Sequence, residues 1–375
     1  MSNPIENEYL PDGVSPPGET LLETIEALGM TQIELADRMG RPRKTINEII
    51  KGKTAITPET ALQLEHVVGV PARFWITREQ HYREALARTA EQTELAEQRE
   101  WQAQFPLQEM VEQGWIAPLT DVVDQIRALL DFFGVASPQQ WRELWLNPRV
   151  AFRQSPVFAS APGALAAWLR RGEIEAQQLV CSPYNATEFR AVLKKIRALT
   201  VQPPAVFQPE TIRLCAQVGV AVVFVPELAQ LRVCGATRWL TPNKALLQLS
   251  LRYKTNDHLW FSFFHEAGHL LLHGKRDIFL EGEDGAKLYD ATIQRAEAEA
   301  DAFATDFLID KLRYRSFVDR HRRFTKELIR HFAQENGIAP GIVVGRLQHD
   351  GRLPYAFCNE LKERLTWSTS QIEIQ

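Results

Sequence analysis

The chain has 375 residues, 45% hydrophobic and 24% charged, with a formal net charge of −4. That balance belongs to a globular protein of two or three domains and excludes a disordered, fibrous or repeat-only chain. The longest apolar runs, such as Val218 to Val225, fall far short of the roughly 20 residues a membrane span needs. Met1 to Glu6 shows no basic stretch followed by an apolar one, and the four cysteines (Cys181, Cys215, Cys234, Cys358) have no C-x-x-C spacing. The expectation is a cytoplasmic protein with reduced thiols and no membrane partner.

The charge is unevenly spread. Residues 1–80 carry eight basic and twelve acidic residues, yet six of the eight basic ones lie between Arg38 and Lys53, where only Glu48 opposes them. This basic window falls on a helical pattern. Thr31-Gln32-Ile33-Glu34 has the form of a capping box, in which the Thr31 hydroxyl accepts the Glu34 N–H. Leu35, Ala36 and Met39 continue an apolar stripe, and Gly40 stops the helix. A second helix starts near Pro42, turns Ile46, Ile49 and Ile50 inward, and ends at Gly52. Two short helices across a glycine turn predict a helix-turn-helix. Arg43, Lys44, Asn47 and Lys51 then point outward, where Arg and Asn can read base edges and Lys can neutralise phosphate. Thr57-Pro58-Glu59 caps a further helix running to about Val68.

From Pro16 to Trp75 the chain resembles the Cro/repressor type of helix-turn-helix domain, of the HigA-like antitoxin kind. The resemblance rests on Gly29-Met30-Thr31-Gln32, on Thr45-Ile46-Asn47-Glu48-Ile49-Ile50-Lys51-Gly52-Lys53, and on Ile56-Thr57-Pro58-Glu59-Thr60-Ala61-Leu62. It implies a double-stranded DNA operator and a homodimer. Arg41, Arg43, Lys44, Thr45, Asn47 and Lys51 are the candidate DNA-binding residues. The other reading is a helix-turn-helix fold used only for protein contacts.

Residues from about 86 to 205 read as helical, with tryptophans at 101, 115, 141, 145 and 168. They predict a helical linker domain; a sensing domain or substrate clamp is the sharper alternative. Val201-Gln202-Pro203-Pro204-Ala205 marks a boundary. The expected division is therefore 1–85, 86–205 and 206–375. Beyond the boundary, Gly219 to Val225 reads as a buried strand. Arg238-Trp239-Leu240 and Ala245 to Leu251 read as two more, joined through Thr241 to Lys244. The alternation in Leu247-Gln248-Leu249-Ser250-Leu251 predicts one buried face. An exposed edge of this sheet could hold an extended substrate; an ordinary covered edge is the other reading.

His265-Glu266-Ala267-Gly268-His269 is an H-E-x-x-H sequence. On a helix, positions i and i+4 share a face, so both imidazoles can reach one Zn²⁺ at about 2.0–2.1 Å. Glu266 lies about 100° round the helix, placed as general base. A catalytic zinc needs a third protein ligand. Ala296-Glu297-Ala298-Glu299-Ala300-Asp301 offers Glu297 as that ligand, with Glu299, about 200° away, as its rival. Asp301, one turn after Glu297, could accept from the free ring nitrogen of a ligand histidine. His273 reads as packing or as a partner of the ligands, since a straight helix cannot bring three turns onto one tetrahedral ion. Tyr289 and His273 are weak candidates for oxyanion stabilisation. A metal-free site that only supports the fold is the bland alternative.

Residues 210–310 resemble the ImmA/IrrE family of zinc metallopeptidases. The resemblance rests on Gly235-Ala236-Thr237-Arg238-Trp239-Leu240, on Phe264 to His273, and on Glu297-Ala298-Glu299-Ala300-Asp301-Ala302-Phe303-Ala304. Many members have Asn where this chain has Asp301; either accepts a histidine N–H. The resemblance implies cleavage of a repressor- or antitoxin-type protein, and the pairing with a helix-turn-helix implies a toxin–antitoxin regulator with a toxin as a further partner. A regulator whose zinc domain senses a ligand or partner without proteolysis is the alternative.

At the carboxyl end, Thr325 to Asn336 and Pro340 to Gln348 form two helices around Gly337, with Arg320, His321, Arg322, Arg323, Arg330 and Arg346 nearby. Packing beneath the peptidase core is the favoured reading, and a second DNA contact the other. The fold class expected is mainly α with a small α+β domain: a helix-turn-helix bundle, a helical middle region and a zincin-like domain with a small sheet.

Overall fold

In the computed structural model, residues 15–145, 161–229, 231–273, 279–282, 291–368 and 371–375 are described. Tyr289 lies outside them. The chain divides into two compact units after Arg99, rather than at the two boundaries the sequence suggests.

The first unit is a helical bundle of α1 (Pro17–Ala27), α2 (Gln32–Met39), α3 (Arg43–Ile50), α4 (Pro58–Val68) and α5 (Ala72–Ala96). The Thr31 hydroxyl accepts from the Glu34 N–H at 3.2 Å, and the Thr57 hydroxyl accepts from Thr60 at 3.2 Å. Between α2 and α3, Gly40 adopts φ 64°, a left-handed turn that a side chain would strain. Leu21, Leu35, Ile46, Leu64 and Trp75 meet in a fully buried core. Gly18 lets α1 cross α3 at backbone contact: a Cβ there would lie 2.2 Å from the Ile49 carbonyl oxygen. Buried Glu79 accepts from the Ile56 N–H at 3.0 Å and pairs with Arg83 at 2.7 Å, tying the loop before α4 to α5.

A short helix, α6 (Arg99–Gln102), stands at the division, followed by α7 (Leu107–Glu112), α8 (Val122–Phe133) and α9 (Pro138–Trp145). The tryptophans of this region have a structural role. Trp101, Phe105, Phe133, Trp141 and Trp145 form an edge-on aromatic cluster with centroids 5.0–5.8 Å apart. This layer is not a separate body. The Arg170 Nε donates to the Phe132 carbonyl at 2.8 Å, and the Glu109 carboxylate accepts from the Ala229 N–H.

The rest of the second unit is built on a four-stranded sheet in the order β1–β3–β2–β4. β1 (Val220–Phe224) is parallel to β3 (Lys244–Leu249), and β2 (Val233–Thr241) is antiparallel to both β3 and β4 (Phe279–Gly282). Helix α10 (Pro162–Gln178) covers one face, while α11 (Ala186–Ala198), α12 (Pro204–Ala216) and α13 (Asn256–Leu272) belong to the core on the other. One expectation changes here. The alternation in β3 separates two buried faces: Gln248 is fully buried and donates to the Trp168 carbonyl at 2.8 Å, so a buried polar residue mimicked a wet face. β2 is not an edge of the sheet, because β4 pairs with it.

After α14 (Ala291–Leu308) come α15 (Lys311–Arg320), α16 (Lys326–Asn336), α17 (Pro340–His349) and the hairpin β5 (Leu365–Ser368) and β6 (Gln371–Ile374). Ile342, Val343, Val344 and Leu347 of α17 sit in the main core with α13, so the terminal helix pair packs against that core. Half-buried Arg197 donates to the carbonyls of Phe307, Leu308 and Asn336 at 2.9–3.0 Å, satisfying the otherwise unpaired carboxyl ends of α14 and α16.

Since the α1–α3 crossing has no room for a side chain, Gly18→Val should destabilise the first unit by about 2 kcal/mol or more. Calorimetry of the full chain should show its transition moving down in temperature while the second unit's stays; an unmoved first transition contradicts this crossing.

Candidate metal centre

Helix α13 is apolar almost all round and is buried on nearly every side, so its few polar side chains are forced into the interior. His265 and His269 are each 2% exposed, and Glu266 is fully enclosed. Helix α14 lies against it at close range. A Cβ on Gly268 would stand 3.3 Å from the Ala300 Cα and 3.1 Å from the Phe303 ring. These small residues allow the approach that brings Glu297 to the histidines.

The two Nε2 atoms are 2.9 Å apart. Glu297 reaches them at 3.2 Å (His265) and 3.6 Å (His269). One donor atom from each of the three residues lies within 4.8 Å of the others, among the described residues. Two imidazoles and a carboxylate are an ordinary donor set for Zn²⁺, which takes nitrogen and oxygen ligands at about 2.0–2.2 Å. Burial pushes the His269 pKa down to about 4, keeping the ring in the neutral, ligating form. Burial works to raise the Glu297 carboxyl, but the two imidazoles beside it outweigh burial and hold the pKa at about 2.

Both rings are held from behind. The His265 Nδ1–H donates to Asp301 at 2.9 Å, since a carboxylate can only accept. This leaves His265 Nε2 with its lone pair toward Glu297 and His269. On the other ring, His269 Nδ1 lies 3.0 Å from His273 Nδ1, and His273 Nε2 lies 3.3 Å from Glu299. One tautomer chain satisfies all three groups: His269 donates to His273, and His273 donates to Glu299. Arg295 anchors Glu299 at 2.7 Å. Helix α13 ends at Leu272 and His273 is its cap, with φ −113° and ψ 167°. One turn after His269 and on the same face, its ring comes behind that of His269. Glu299, the rival ligand, therefore belongs to the support of His269.

Two contacts escaped the sequence reading. Glu299 as the end of the His273 chain depends on the α13–α14 packing. Gly235 in β2 lies against Glu266, where a Cβ would come within 2.7 Å of the Glu266 Cγ. A glycine inside a strand pattern was the available signal.

In the first unit, Arg43, Asn47 and Lys51 stand at i, i+4 and i+8 along one side of α3; Arg43 and Lys51 are exposed and Asn47 half-buried. Lys44 is exposed beside them and lies 3.8 Å from Glu48. Thr45 is half-buried. Arg41 precedes α3; it donates to Gln63 at 2.6 Å and faces Glu59 at 3.5 Å, so its side chain is held against α4.

Residues 21–75 match the helix-turn-helix family, and residues 240–348 match the IrrE N-terminal-like domain of the M78 peptidases. The chain thus carries a Cro/repressor-type helix-turn-helix domain and, toward its carboxyl end, an IrrE-like domain of metallopeptidase type. It is 37% identical over 65 residues to virulence-associated protein A of Dichelobacter nodosus, covering 17% of this chain and 62% of that protein. It is 32% identical over 60 residues to the uncharacterized HTH-type transcriptional regulator YddM of Escherichia coli K12, covering 16% and 64%. A solved structure of an addiction module antidote protein of a HigA family from Coxiella burnetii shares 27% identity, covering 22% of this chain and 91% of that one, with a TM-score of 0.21. The chain thus spans less than two thirds of the curated relatives' length. No helix among the described residues is long and apolar enough to cross a membrane.

The three-donor arrangement makes a metal-binding prediction. Calorimetric titration with zinc should give one site; His265→Ala or Glu297→Ala should weaken binding by more than about tenfold, as should Ala300→Leu, which forces the helices apart. Glu266→Gln should bind as the native chain does. Equal affinity in all four variants contradicts this ligand set.

Proposed function

We propose that this protein is a cytoplasmic, DNA-binding transcriptional regulator of antitoxin type whose second unit is a zinc endopeptidase. Its substrate is a repressor- or antitoxin-type protein. The observation that carries this reading is the convergence of His265, His269 and Glu297, with the Glu266 carboxylate one residue along the same buried helix.

His265, His269 and Glu297 would hold Zn²⁺. The bound ion would polarise the scissile carbonyl and lower the pKa of the attacking water. Asp301 and His273 keep the two rings in the tautomer that presents Nε2 inward. Glu266 takes the proton from the attacking water on a carboxylate oxygen and returns it to the departing amine nitrogen. Its enclosure beside Gly235 in β2 leaves that carboxylate little room to wander, which favours a fixed proton shuttle.

For the first unit, we take α3 as the helix that enters the major groove of an operator. Arg43 and Asn47 contact bases, while Lys44 and Lys51 meet phosphate. Thr45 and Arg41 flank this surface. A homodimer would span two half-sites, and a toxin partner would complete a toxin–antitoxin pair.

With zinc and the neighbouring gene's product present, the native chain should cleave that product. Glu266→Gln should lose more than about a thousandfold of the rate while keeping metal and operator binding. No cleavage by the native, zinc-loaded chain would instead support a regulator that only senses a ligand or partner. Arg43→Ala with Asn47→Ala should abolish gel shifts on the protein's own promoter; unchanged shifts would move the DNA contact off α3.

A further inference from the structure

A cavity of about 290 Å³ lies beside the metal centre, on the outer side of Asp301. Its walls come from α13, α14 and α17, with Cys234 of β2 and Tyr253 at the rim. On α13, Asp257, Phe261 and His265 follow at i, i+4 and i+8; on α14, Glu297, Asp301 and Thr305 do the same. One groove between these helices therefore carries the metal donors at one end and the cavity at the other. The Phe261 ring is centred 6.1 Å from the His265 ring. An extended chain advances at most about 3.3–3.6 Å per residue, so a peptide held at the metal reaches the cavity within one or two residues.

The floor of the cavity is apolar and its rim carries polar groups. Leu308, Ile309 and Ile342 are each under 5% exposed and form its floor with Phe261. Its charged neighbours have partners of their own: Asp257 pairs one oxygen with Lys362 at 2.7 Å while the other oxygen has no partner, Arg346 pairs with Asp350 at 2.8 Å, and Asp301 with His265. His258 stacks on Tyr253 at 4.1 Å, and burial holds its pKa below the usual value, so it adds an aromatic shelf. The volume falls just under the range of small-ligand sites, about 300–1,000 Å³, which suits a single side chain better than a folded segment.

We propose that this cavity holds one large apolar side chain, aromatic or branched aliphatic, of a polypeptide presented to the metal centre. The proposal rests on the peptidase reading and supplies its specificity. Thr305, half-buried in the α14 wall and remote from the metal donors, gates the space.

The test uses the full chain without metal and N-acetyl amides of phenylalanine, leucine, glutamate and lysine as probes, with binding read by saturation-transfer NMR. The phenylalanine and leucine amides should bind at least about tenfold more tightly than the charged ones. Thr305→Trp should remove that binding, Thr305→Ser should keep it, and both variants should bind zinc like the native chain. Equal binding of all four amides, or binding that survives Thr305→Trp, overturns the proposal and leaves the metal centre untouched. A random peptide library given to the zinc-loaded chain should be cut beside large apolar residues, with the preference lost in Thr305→Trp. Cutting whose apolar preference survives in that variant overturns the proposal. Apolar-selective binding with no cutting keeps the pocket as an apolar ligand site and overturns the hydrolase reading alone.

Discussion

The contact between Gly268 on α13 and Ala300 on α14 is the constraint on which the second unit's chemistry depends. Helix axes with ordinary side chains between them stand about 8–10 Å apart. With hydrogen and methyl groups at the crossing, α14 comes near enough for a glutamate to reach two imidazoles on its neighbour. The same packing places Asp301 on one ring and Glu299 behind the other. Glu297, Asp301 and Glu299 thus arrive together, from one helix, in a single geometric event.

Burial sets the protonation states at this crossing. Within the apolar shell of α13, a lone charged imidazole is costly, and His269 stays neutral. The Glu297 carboxyl keeps a low pKa in the same surroundings because it faces the two imidazoles. Arg197 contributes from a distance by capping the carboxyl end of α14 and tying it to α16. The first unit applies the same logic with different residues: Gly18 sets how α1 crosses α3, and Gly40 sets the turn that orients α3. In both units, a missing side chain decides where a functional helix lies.

Much of this was legible in the chain itself, because the signals were local. Capping by Thr31 and Thr57, the Gly40 turn and the inward isoleucines of α3 need only neighbours within a few residues. The four-residue spacing of His265 and His269 puts both on one helical face, and Glu297 with Asp301 on another. What misled was local as well. Gln248 reads as a solvent-facing position, yet it is buried because the Trp168 carbonyl, 80 residues away, accepts its N–H. The sheet also runs on past β2, because β4 pairs with it from a stretch in which the sequence marks no strand.

The sequence by itself determined which residues could bind a metal or meet DNA, because helical periodicity fixes which side chains share a face. Only the tertiary structure brings Glu297, and not Glu299, to the two histidines. The two lie on different sides of one helix, and the choice follows from which side α13 occupies. It also chose for His273 between packing and support of its neighbours, because its ring meets that of His269. The cavity beyond Asp301 has no signature in the chain at all, because an enclosed space belongs to three helices at once and to none of them alone.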